Sequence, residues 1–155
     1  MVSPELLRRY PFFAFLDDAQ LKAIAMISEE AFYDSGEIIF RENQPAEFFH
    51  LLLEGCVDLY FTVDTVYAPD LSREFLVGEI NPGEPFGISA LIEPYILTST
   101  ARAAVPSRVL QIQAAPLRAL CEQDRQVGYV LIRHAAKVAV ERLHFTRVQL
   151  VAARA

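Results

Sequence analysis

Few residues in this sequence offer themselves for chemistry, and their spacing decides most of what they can do. The histidines are His50, His134 and His144. The last two lie ten positions apart, which on a helix is about 80° of azimuth and about 15 Å of rise, so they cannot share one metal ion within a monomer. Neither His-x-His nor Cys-x-x-Cys occurs, so no zinc-ligand pattern is present and no metal is expected. The nucleophile elbow Gly-x-Ser-x-Gly is missing as well. Glu29 and Glu30 are adjacent and face different ways. No residue stands out as nucleophile or general base, and the expectation is a protein that is not an enzyme. Cys56, beside Gly55 in an apolar strand, reads as a buried inert thiol, and Cys121 near a helix end reads the same way.

The informative stretch is residues 81–103, NPGEPFGISALIEPYILTSTARA. Pro82-Gly83 makes a turn. Phe86 leads to Gly87, after which residues 88–92 can form a helical turn or two that Pro94 stops. A glycine there lets the backbone approach a ligand closely, and the amides that follow point outward toward an anion. Taken alone, the same pattern also describes a plain strand-to-strand crossover.

Certain elements must position this stretch. The chain has 155 residues and 17.4 kDa, with 53% hydrophobic and 22% charged residues, enough to bury a core and too apolar for disorder. Apolar runs are short, such as residues 129–132, so no membrane span is expected. Residues 1–10 carry Glu5, Arg8 and Arg9 without an apolar centre, unlike a secretory signal. Two cysteines make no disulfide framework, which points to the reducing cytoplasm. Residues 1–123 hold 8 Lys/Arg against 18 Asp/Glu, and residues 124–155 hold 6 against 2. The acidic body argues against nucleic-acid binding over most of the surface, and the basic tail reads as a solvated helix face.

The first zone is a short helical lead. Asp17-Asp18 supply a cap and a first turn, and Leu21, Ile24, Ala25 and Ile27 follow at helical spacing. Residues 32–33, 37–40, 48–53, 57–63, 73–80 and 107–113 read as short strands, with turns at Ser35-Gly36, Asn43-Gln44-Pro45, Glu54-Gly55, Ala68-Pro69-Asp70 and Asn81-Pro82-Gly83. Residues 64–70 read as a longer exposed link. Strands at this spacing predict a β-sandwich, roll or barrel. Residues 116–121 read as a short helix, and one long helix follows from about Asp124. Its Ile132, Ala136, Ala139, Leu143, Thr146 and Leu150 are spaced as a heptad seam, and Leu131, Val138 and Phe145 form a second strip. One face can pack on the body and the other on a second copy, which predicts a homodimer.

The order of these pieces resembles the cyclic-nucleotide-binding domain family, which includes the catabolite activator protein and the regulatory subunits of protein kinase A. The matching pieces are Phe15-Leu16, residues 36–42 (GEIIFRE), residues 49–55 (FHLLLEG), residues 82–87 (PGEPFG), and Ala103 with residues 107–110. The resemblance covers roughly residues 5–150. It implies a mainly β, α+β fold: a double-stranded β-helix, or jelly-roll-like β-roll, flanked by short N-terminal helices and a long C-terminal helix that often dimerises. The expected organisation is a single domain over 1–155, with 124–155 as the dimerisation helix.

The family holds its ligand in a phosphate-binding cassette. A Gly-Glu pair and backbone amides open it, and an Arg followed by a small or hydroxyl residue closes it. Here Gly87 matches the glycine, but Ile88 stands where the glutamate belongs. Registering on Arg102-Ala103 puts Leu97 at the arginine and Thr98 after it. Leucine cannot replace a guanidinium that meets phosphate with charge and a fork of donors. Each such loss costs about 1.5–3 kcal/mol, roughly one to two decades of affinity. The softer pocket left would be made by backbone at Ile88, Ser89 and Ala90 and hydroxyls at Thr98, Ser99 or Thr100. Arg102 matches a position outside the family's pocket. The resemblance also places Thr146 where the activator protein's helix meets the adenine.

The expected function is a non-catalytic, small-molecule-sensing regulatory domain in the cytoplasm, with no cofactor and with ordinary cyclic nucleotide binding disfavoured. A ligand-free dimerisation module is the alternative. A cupin-type enzyme, which needs several histidines around a metal, ranks below both. The sequence stops at Ala155, short of the helix-turn-helix of activator-type regulators, so this chain is not expected to bind DNA sequence-specifically.

Overall fold

The structure is a computed structural model that describes residues 1–65 and 68–155. Among the described residues, eight strands form two four-stranded antiparallel sheets. The first has the order β1 (Ser28–Tyr33), β8 (Ser107–Gln113), β3 (Phe48–Glu54) and β6 (Pro85–Phe86). The second has the order β2 (Ile38–Phe40), β7 (Thr100–Ala103), β4 (Val57–Thr65) and β5 (Ala68–Ile80). This is the expected β-roll.

Alternation along β3 divides the interior in two. Leu52 joins Phe86 and Val109 of the first sheet and Val57, Leu59, Ile80 and Ala101 of the second in a core between the sheets. Phe49, Leu51 and Leu53 point the other way and pack with Leu7, Phe13, Ile24, Leu117 and Leu131 under the helices. Those helices are α1 (Pro4–Arg8), α2 (Asp18–Met26), α3 (Ala114–Gln123) and α4 (Arg125–Arg154), with a 3₁₀ turn at Pro11–Phe13.

Asp17 caps α2 as expected, and Gln20 completes a capping box with it. Buried Gln20 also donates to Asp124 Oδ2 at 3.0 Å and to Gln126 Oε1 at 3.1 Å, tying α2 to the start of α4. Helix α4 buries Val127, Val130, Leu131 and Ala135 on the body. Beyond Ala135 its apolar residues are largely uncovered: Leu143 is 49% exposed and Leu150 51%. Ile132, Ala136, Ala139, Leu143, Thr146 and Leu150 thus all lie on an exposed stripe, while Leu131 of the second strip faces the body.

Some expectations need correction. The turn expected at Ala68-Pro69-Asp70 is part of β5, and Thr65 pairs directly with Ala68. The link expected over residues 64–70 is therefore strand at both ends, and its centre, residues 66 and 67, lies outside the described residues. Strand β1 starts at Ser28, earlier than its apolar residues suggest, because β8 pairs along its whole length. No helix among the described residues is long and apolar enough to cross a membrane.

Candidate functional site

Strand β6 has two residues, paired through His50–Phe86 and Leu51–Pro85. The chain then turns at Gly87, with φ +62° and ψ +34°, into a 3₁₀ turn at Ile88–Leu91. Two constraints demand glycine here. Its φ is one that side chains avoid, and a Cβ would come 2.8 Å from His50 Nδ1 and 3.3 Å from Phe40 Cε2. After a cis Glu93–Pro94 bond, the chain is hooked to the loop before β3. Ala46 N donates to Tyr95 O, Leu97 N to Gln44 O, and Asn43 N to Leu97 O, all within 2.9 Å.

A strand over residues 97–101 would alternate its side chains between two faces. Because the hook holds Leu97 and β7 starts only at Thr100, Thr98 and Ser99 both reach the same cavity. Thr100 is turned away: its Oγ1 accepts from Glu42 N at 3.1 Å in a buried site.

The cavity has a volume of about 350 Å³ and lies between this cassette and α4. Gly87, Ile88, Ser89, Leu97, Thr98, Ser99 and Thr146, all singled out from the sequence, line it. Ala90 does not: it is fully buried in the core under the helices, and its carbonyl accepts from Arg118 Nη1 at 2.8 Å. Arg118 also lies over the Tyr95 ring, 4.1 Å from its centre. Arg102 pairs with Glu74 at 3.2 Å, sits over Tyr60, and does not line the cavity, as its matched position implied.

Sequence reasoning missed the cavity's cation. Arg142 comes from α4, one turn before Thr146, and donates to the Pro85 carbonyl beside Gly87. Burial pulls its guanidinium below the usual value, while Glu84 and Glu141 work against that shift. It still carries its charge at neutral pH, since arginine starts far above it. The signal available in the sequence was its helical spacing from Ala139 and Thr146, which shares a face with both. Thr146 Oγ1 donates to Arg142 O at 2.9 Å, which leaves its oxygen free to accept. Phe40, Leu59 and Val77 supply apolar walls.

The remaining candidate residues stay apart. His134 Nδ1 lies 2.7 Å from Phe12 O, while His144 is exposed. Cys56 is half-buried rather than buried and stands in the turn just before β4 rather than in a strand, and its thiol faces Glu79 Oε1 at 3.4 Å. Burial first, then Glu79 and Asp58, push it up to about 11, so it is protonated at neutral pH.

This arrangement, a short cassette after Phe-Gly on a β-roll closed by a long helix, defines a class. The chain belongs to the cyclic nucleotide-binding domain family, whose profile matches residues 30–124. A Geobacter metallireducens GS-15 protein named as a cyclic nucleotide-binding protein is 44% identical, with a TM-score of 0.78 over 93% of this chain and 100% of that one. The N-terminal domain of a transcriptional regulator from Streptomyces coelicolor A3(2) is 28% identical, with a TM-score of 0.65 over 88% and 93%. A Rhodopseudomonas palustris protein named as a potassium channel protein is 24% identical over 128 residues. That match takes in 83% of this chain but only 29% of the relative's length.

Proposed function

We propose that this chain is a non-catalytic regulatory domain that senses a small molecule held between the Gly87 cassette and α4. The observation that carries this reading is the cavity itself. Cassette residues and the helix face that leaves the body meet around one space of about 350 Å³. Arg142 restores one cation, from the helix rather than the cassette, while Ile88 and Leu97 leave the cassette side apolar. The effector that suits this lining is a partly apolar molecule with a single anionic group, rather than a cyclic nucleotide held by Glu and Arg. Because Arg142 and Thr146 ride on α4, an occupant biases the position of that helix, provided it binds one position better than the other.

In this reading residues 1–155 act as one cytoplasmic domain, and α4 pairs with a second copy along Ile132, Ala136, Ala139, Leu143, Thr146 and Leu150. Leu143→Asp places a charge in that seam and is expected to turn a dimer into a monomer in sedimentation. A monomeric wild type would remove the dimer from the proposal. The exposed apolar stripe equally suits a ligand-free dimerisation module, and one experiment separates the two readings. Thermal melting of the purified chain is followed with cyclic AMP, cyclic GMP, cyclic dinucleotides and a panel of monocarboxylates. Mass action gives about 2.7 kcal/mol of stabilisation at a hundredfold excess over Kd. A saturable rise with a monocarboxylate, lost in Arg142→Ala, is the expected result. A stable dimer that responds to nothing at millimolar concentration would favour the interaction module.

A further inference from the structure

A second cavity, of about 580 Å³, lies at the other side of Phe40 and Leu97. Its inner walls are Tyr33, Phe40, Phe48, His50 and Gln111. Nothing in the cassette reading uses it.

His50 is the unusual wall residue. It is only 3% exposed, and Nδ1 is the buried side-chain polar atom without a hydrogen-bond partner among the described residues. Buried polar atoms are nearly always partnered, because stripping one of water without replacement is costly. The ring stacks on Phe86 with centroids 4.9 Å apart and is flanked by Phe40 at 5.1 Å. The flank bearing Nδ1 faces Gly87, which has no side chain to cover it. Burial pushes the imidazole down to about 3, partly offset by the nearby Phe48 carbonyl, which lacks the geometry of a hydrogen bond. The ring is therefore neutral at pH 7, and one of its two nitrogens is an acceptor.

Tyr33 supplies the complementary group. Its oxygen accepts from Gln111 Nε2 at 2.7 Å, so its own hydrogen stays available. Burial raises the Tyr33 phenol, which keeps that hydrogen in place. Charged groups occur only among the exposed lining residues, as Arg41 and Glu47, and their signs oppose. Aromatic walls, a neutral acceptor and a hydroxyl donor suit a flat uncharged ring, and nothing inside would neutralise an ion.

We propose that this second cavity binds a small uncharged aromatic molecule with one hydrogen-bond donor and one acceptor, such as a phenol or an azaindole, against Phe40 and Phe48 and on the His50 imidazole. The site is distinct from the one facing α4, and either can fail without the other.

7-Azaindole is the probe, because it carries one N–H donor and one ring-nitrogen acceptor, and because the sequence has no tryptophan its emission can be excited beyond the tyrosines. The wild type is expected to shift that emission to the blue saturably. Tyr33→Phe and His50→Phe should each weaken binding about tenfold, the loss of one hydrogen bond. Arg142→Ala and Thr146→Ala should leave it unchanged. Tyr33→Phe removes one half-buried hydroxyl and keeps the ring, so it decides the matter if His50→Phe does not fold. No saturable change up to millimolar 7-azaindole would overturn the proposal. So would undiminished binding by Tyr33→Phe, or binding lost only in Arg142→Ala, which would put the probe in the first cavity.

Discussion

The two cavities share Phe40 and Leu97 as a common wall and differ in how they could recognise anything. The one beneath α4 is assembled from distant elements: cassette backbone, two consecutive hydroxyls, and a guanidinium carried on a helix that leaves the body. The one around His50 has its inner walls on β1, β3 and β8 of the first sheet and β2 of the second. The first can change shape when α4 moves. The inner walls of the second can change only if the sheets do. The comparison teaches that one fold can set a cavity with a wall carried on a projecting helix back to back with a cavity walled by sheet, with Gly87 and His50 at the partition.

The largest expected effect tests the sheet-walled side. Folded His50 has its pKa pushed down to about 3, while an unfolded histidine sits at about 6.5. Between these values the unfolded chain binds the extra proton, so stability falls as pH drops through that window, by up to about 1.4 kcal/mol per pH unit. Urea midpoints taken down this range should fall more steeply for the wild type than for His50→Phe. Equal slopes would mean the ring is not buried as described.

Next comes the side facing α4. Ile88→Glu with Leu97→Arg restores the family's two charged ligands, and the arginine contact alone should improve cyclic AMP affinity by about 1.5–3 kcal/mol. Calorimetry that shows no gain would mean that Thr98 and Ser99 do not face the phosphate position. Gly87→Ala strikes the partition. A positive φ and a Cβ 2.8 Å from a stacked, immobile ring should cost about 2 kcal/mol, read as a lower urea midpoint. A neutral result would show that His50 can retreat, and that the two cavities communicate. The smallest effect is Tyr33→Phe, about 1 kcal/mol from the lost Gln111 hydrogen bond. It should leave any ligand response of the α4 side intact in thermal melts.

The fold was legible where local chemistry and tertiary pairing agree. Asp17 before an apolar helical pattern marks α2, and short apolar runs between turn residues, over 48–53 and 107–113, mark the central strands of the first sheet. The two residues of β6 carry no periodicity, and Ser28 to Ala31 pair with β8 despite a polar sequence. The site was legible through Gly87, whose replacement by any other residue would be strained. Thr98 and Ser99 came from the matched motif, but their shared orientation depends on backbone bonds to residues 43–46 that no local pattern encodes. Arg142 escaped notice for the same reason: its partner, the Pro85 carbonyl, is 57 positions away. His50 read as a solitary strand residue, and only its three aromatic neighbours reveal that it is enclosed.

Asp124 separates α3 from α4 with a single non-helical residue, φ −122° and ψ +94°. Beyond it, α4 runs for 30 residues, about 45 Å at the usual helical rise. Its apolar clamp, Val127, Val130, Leu131 and Ala135, lies near its start, and Arg142 adds a hydrogen bond to the Pro85 carbonyl further along. The geometry is that of a lever with its fulcrum at one end. A tilt of about 10° at Asp124 sweeps the far tip through about 8 Å, while Arg142, a little past halfway, travels roughly 5 Å. Displacements too small to disturb the roll thus become, at Leu150, a distance comparable to a full helical turn.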